Sequence, residues 1–183
     1  DLGVNTIVVS SVNALLLLSR FSDHLDIIAG SNMEVRNIHQ VRFLEQLGTK
    51  RVVLPYNIYL DEIVTLRCGS SIELELITNN DCSFLQGYCR MGHWKPRPIP
   101  CKRRYRHSGS LCSNVATSEM PLNFMADCSM CLLPRILEIG IDVIKLEGRG
   151  KPLEAKVKDL KTIKHLVHQV YTKKSNDHRD LSA

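Results

Sequence analysis

The sequence has no cysteine in its first 67 residues and no apolar run long enough to cross a bilayer. Ala14 to Leu18 is far shorter than the ~20 residues a membrane span requires. Asp1 to Ser10 lacks the basic n-region of a secretory signal, so a reducing, cytoplasmic setting and no membrane partner are expected. No His-Glu-x-x-His is present, and no Ser/His/Asp order suggests a hydrolytic triad. Neither sign of charge dominates. Lys and Arg number 24 against 19 Asp and Glu, a net charge of +5, which permits an anionic partner without requiring one. The first residue is Asp1 rather than Met, and a processed, trimmed or partial chain is expected.

What is present suits one globular domain. The chain has 183 residues, 44% of them hydrophobic and 23% charged, which excludes disorder and fibrous repeats. Short β-branched runs alternate with helical spacing. Strands are expected at Thr6–Ser10, Asp26–Gly30, Arg51–Pro55, Ile72–Ile77 and Asp142–Leu146. The Ile72–Ile77 stretch alternates Leu with Glu and reads as half-exposed. Helices are expected at Val12–Phe21, Val35–Leu47, Leu60–Leu66, Met130–Gly140 and Pro152–Tyr171. This is an α/β pattern with a parallel sheet, either an open doubly wound sheet or the C-terminal part of a barrel. The expected layout is one β/α domain over residues 1–171, carrying a long irregular cysteine-rich insertion at 78–127, and a frayed polar tail at 172–183.

Six of the seven cysteines crowd between Cys82 and Cys131. An odd count in a chain that can build its own core argues against a disulfide framework and for metal or redox chemistry. Gly87 lets the chain turn between Cys82 and Cys89; Cys101 follows; Cys128 and Cys131 form a C-x-x-C at a helix start, where free N–H groups favour thiolates. Four converging thiolates would hold zinc or an iron–sulfur cluster, and inert burial is the bland alternative. Nearby, Lys95, Arg97, Lys102, Arg103, Arg104, Arg106 and His107 are interleaved with Trp94 and Tyr105. Such a run suits single-stranded RNA or simply a solvated loop. His165 and His168 read as surface or packing residues on the last helix.

Cys82-x4-Gly87-x-Cys89-x-Met91 resembles the signature of the collagenase-like peptidase family, peptidase family U32. Pro100–Tyr105 is similar to its second cysteine patch, and Leu133–Arg149 to its helix-to-strand stretch ending in Glu-Gly-Arg. The resemblance implies a partial TIM-barrel-like domain with a [4Fe–4S] cluster (zinc being the alternative cofactor). Its ligands would be Cys82, Cys89, Cys101 and Cys128, with Cys131 and Cys112 as alternates and Cys68 structural. It implies two activities, oxygen-independent hydroxylation of RNA or another acceptor, or peptide hydrolysis; a non-catalytic fragment with a structural metal is a third reading. Glu147 and Arg149 would be the catalytic pair, as general base and anion clamp, and Lys102, Arg103 and Arg104 the nucleic-acid contacts. RNA or an anionic small molecule would be the substrate, and a partner chain or preceding segment would complete the barrel. The chain departs from the family pattern at Asn79 and Gly92, at Tyr56-Asn57, and at Asn32 and Glu34.

Overall fold

The computed structural model describes residues 3–79, 105–109, 112–118, 129–148 and 151–180, with backbone alone for 105–118 and beyond Thr172. Five strands, β1 (Thr6–Val9), β2 (Asp26–Ala29), β3 (Thr49–Leu54), β4 (Glu73–Ile77) and, later in the chain, β7 (Val143–Lys145), form one parallel sheet in sequential order. Helices α1 (Val12–Leu18), α2 (Ile38–Gln46), α3 (Leu60–Gly69) and α4 (Leu133–Ile139) connect them, and α5 (Leu153–Asp180) follows.

Packing distinguishes the two architectures left open by the sequence. Leu15 of α1, Val41 and Leu44 of α2, Ile63 and Leu66 of α3 and Ile136 of α4 share one core with Val9, Ile27, Ala29, Val52, Leu54, Leu74 and Leu76. All four helices therefore cover the same sheet face. A doubly wound sheet reverses its strand order and carries helices on both faces. A sequential order with helices on one side is the arrangement of a β/α barrel, here a partial one.

The helix-free face holds Ile28, Val53 and Ile77 and a row of charges. Arg51 donates to Glu73 at 2.7 Å and to Glu75 at 3.2 Å, and the Lys145 ammonium lies 3.0 Å from Glu75. This corrects the half-exposed reading of β4. Leu74 and Leu76 face the helices, but Glu75 is 6% exposed, because its charge is met by cations from both neighbouring strands.

Caps explain the element ends. The α2 helix begins at Ile38 rather than Val35, because Asn37 and Gln40 bond each other's backbone N–H groups in a capping box. Gly140 ends α4 at φ +93°, the left-handed cap that glycine adopts without strain. The last helix continues past Tyr171 to Asp180, where a frayed tail was expected. Within the expected irregular stretch lies an antiparallel ribbon, β5 (Tyr105–Gly109) paired with β6 (Cys112–Ser118).

Candidate functional site

At the C-terminal edge of the sheet, β4 and β7 end side by side, and the hydrogen-bond ladder is extended by a side chain. Thr78 N–H donates to the Lys145 carbonyl at 3.1 Å. One residue on, Asn79 takes over with its side-chain amide. Its Oδ1 accepts the Glu147 N–H at 2.7 Å, and its Nδ2 donates to the Glu147 carbonyl at 2.9 Å. A carboxamide has the donor and acceptor pattern of a peptide group, so Asn79 substitutes for one more strand residue.

The same Nδ2 donates to Asp159 of α5 at 2.8 Å, and Lys151 reaches that carboxylate at 2.9 Å. The Lys151 ammonium, and then the Asn79 amide, hold the Asp159 carboxyl below its usual range. Asn79 is 4% exposed. The sequence marks Asn79 only as a departure from the family pattern; nothing local marks it as a tether, since its partners lie far along the chain.

Glu147 thus has a backbone fixed on both sides and a half-buried side chain. Among the described residues its carboxylate makes no ion pair or hydrogen bond. Its expected partner Arg149 lies outside the described residues.

The chain closes on itself at this corner. Ser129 N–H donates to the Thr78 carbonyl at 3.1 Å. Thr78 is fully buried, and its Oγ1 has no hydrogen-bond partner among the described residues. The intervening segment therefore leaves and rejoins the sheet at one point, three residues before Cys82 and one after Cys128. Cys82, Cys89, Cys101 and Cys128, and the basic Lys102, Arg103 and Arg104, lie outside the described residues. Cys112 opens β6. Cys131 sits in the 3-10 turn leading into α4 as a free, exposed thiol close to the corner in sequence. Cys68 is also free and exposed, but it lies at the end of α3, which returns the chain to the start of β4 and so to the opposite edge of the sheet. No metal-binding group of His, Cys, Asp and Glu forms among the described residues.

Two further features line this edge. Arg36 donates to Asn57 Oδ1 at 2.6 Å and to Glu34 at 3.4 Å, with Glu34 in the left-handed region at φ 51°. This places Glu34 and Asn57, two of the departures, in one polar cluster. Beside Ser129 and Leu132 opens an apolar pocket of about 370 Å³, floored by Ile63, Leu76 and Ile136 and rimmed by Tyr59. No described helix is long and apolar enough to cross a membrane.

Comparison with known proteins agrees with these features at the level of family. The family model described as Peptidase family U32 matches residues 1–182. No curated protein and no solved structure matches the chain.

Proposed function

The chain belongs to peptidase family U32, and from that premise we propose that it is an iron–sulfur enzyme of the oxygen-independent hydroxylation or RNA-modification type. One observation carries this reading. Both ends of the cysteine-rich segment are tied to the corner that fixes Glu147, by the Ser129–Thr78 and Asn79–Glu147 hydrogen bonds. Cysteines tethered there can be gathered beside a carboxylate at the C-terminal end of the strands, where barrel enzymes place their chemistry.

The donor set fits a cluster. Cys82, Cys89, Cys101 and Cys128 would supply four thiolates, and the free Cys131 thiol is available as an alternate. A bound [4Fe–4S] cluster would supply one-electron chemistry. Glu147 would accept a proton from the substrate, with Arg149 and the basic Lys102, Arg103 and Arg104 holding an anionic substrate such as RNA. The exposed Val8 on the edge strand β1 marks where further β/α units, from another segment or a partner chain, would continue the ring.

Anaerobic purification followed by iron, sulfide and zinc analysis tests the reading. Near four irons and four sulfides per chain, with a broad visible absorption, are expected. A colourless protein holding one zinc overturns the iron–sulfur assignment. The family's peptidase description favours the second reading, peptide hydrolysis. Proteolysis by highly purified protein that persists after Cys82→Ser and Cys89→Ser would establish it in place of the first.

A further inference from the structure

Helix α5 packs against α4 through one side, where Ile163 is buried and Asp159 is engaged by Asn79 and Lys151. A second apolar line runs along its outer flank. Leu153, Val157, Leu160, Lys164, Val167 and Tyr171 follow one another at spacings of 4, 3, 4, 3 and 4 residues. This is the heptad rhythm of a coiled-coil seam, continued over about 27 Å of helix. Four of its members are large, apolar and in contact with solvent: Leu153 is 74% exposed, Val157 41%, Leu160 56% and Tyr171 61%. A groove of about 450 Å³ lies along the first turns, bounded by Leu153, Glu154, Val157, Lys158 and Lys161.

The charges around the seam are mostly positive, three lysines against Glu154. Lys156 lies beside it on the inner margin, Lys161 on the outer margin, and Lys164 within it. Glu154 is the single acidic side chain near the line, because Asp159 turns inward to Lys151. Seam-flanking charges choose the partner in paired helices, and a lone polar residue inside the seam fixes register. A second copy of this helix would set lysines against lysines. A partner helix with carboxylates beside its apolar line would meet them, and one carboxylate opposite Lys164 would satisfy the only charge within the seam.

We infer that the outer face of α5 is a docking surface for an amphipathic helix with acidic flanks, contributed by another protein. The inference does not depend on the proposed cofactor.

The test uses the full chain and two synthetic helical peptides with the same leucine heptad core. One peptide carries Glu at its flanking positions and the other Lys. Fluorescence anisotropy is expected to show the Glu-flanked peptide binding at least about 10-fold more tightly, with the preference shrinking as salt is added. Leu160→Asp should weaken that binding at least about 10-fold, and Lys161→Glu with Lys164→Glu should shift the preference toward the Lys-flanked peptide. All three positions are at the surface, and circular dichroism checks that the variants remain folded. Equal binding of the two peptides, or binding indifferent to Leu160→Asp, overturns the inference. So does self-association of the chain through this face in sedimentation. Vesicles of phosphatidylserine and phosphatidylcholine that capture the chain through Leu160 while neither peptide binds would likewise overturn it, in favour of a bilayer surface.

Discussion

Replacing Asn79 tests whether one side chain holds the end of β4, the start of the Glu147 loop and α5 together. Asn79→Ala removes three hydrogen bonds, two to the Glu147 backbone and one to Asp159. Each is worth about 1 kcal/mol net, and water can reach only part of what is left behind at a residue 4% exposed. A loss of about 2–3 kcal/mol is expected, or about 5–10 °C in Tm for a chain of this size. Asn79→Asp separates geometry from polarity. It keeps the acceptor for the Glu147 N–H but turns lone pairs toward the Glu147 carbonyl and Asp159, so at pH 7 it should be about 1 kcal/mol worse than Asn79→Ala. The introduced carboxyl has its folded pKa raised by these neighbours. Its penalty is complete above that pKa and is relieved as pH falls through it, so the gap between the variants should narrow between pH 7 and about pH 5. Asp159, held below the usual range, keeps its own contribution through that window and loses it only under more acid conditions. Urea unfolding at the two pH values reads all of this. An Asn79→Ala variant within about 0.5 kcal/mol of the parent, or an Asn79→Asp variant no worse than Asn79→Ala at pH 7, would refute the tether.

Glu75→Ala should cost about 2–3 kcal/mol in urea unfolding, because it leaves Arg51 and Lys145 facing each other without the carboxylate between them; partial exposure of both cations keeps the loss below that of a fully buried pair. Gly140→Ala should cost about 1–2 kcal/mol by the same assay, since a Cβ at φ +93° is strained. Leu54→Ala, at a fully buried position in the helix-covered core, should cost about 2–5 kcal/mol and lower Tm in calorimetry. For the proposed cluster, Cys128→Ser should remove most of the iron found by analysis while Cys68→Ser leaves it unchanged, because Cys68 lies at the opposite edge of the sheet.

The backbone plan was largely legible, and the site only in part. Each sheet strand was visible because a parallel strand covered by helices is a short β-branched or leucine run, as Arg51-Val52-Val53-Leu54 shows. Helix ends were placed to within a turn, except that the last helix runs nine residues past Tyr171 to Asp180. The burial of Glu75 was not legible. Alternation of Glu and Leu looks the same whether the second face meets water or an arginine and a lysine from neighbouring strands, and those partners are set by topology. Asn79 was illegible for the same reason, since a polar residue after a strand usually reads as the beginning of a loop. The β5–β6 ribbon escaped because His107, Ser108 and Gly109 give no apolar alternation. Glu147 was singled out through the resemblance of its Glu-Gly-Arg stretch, and the structure adds the reason its backbone is held in place.

The charged row also bears on how the sheet keeps its register. Layers of branched aliphatic side chains usually fill the inner face of a β/α barrel. Here Arg51, Glu73, Glu75 and Lys145 occupy part of that face, two cations against two anions, so the row is neutral within itself. A slip of one residue in β4 would turn Glu73 and Glu75 toward the helices and bring Leu74 and Leu76 out of the core. The apolar side already opposes that slip. A slip of two residues keeps the correct faces, and apolar contacts alone resist it weakly. The ion row opposes it, because it would leave a carboxylate or a cation without its partner on a half-buried surface. The β4–β7 register pairs Ile77 with Lys145, which lets the Thr78 N–H reach the Lys145 carbonyl and brings Asn79 opposite Glu147. The charges on the inner face thereby help set the alignment on which the candidate site at the strand ends depends.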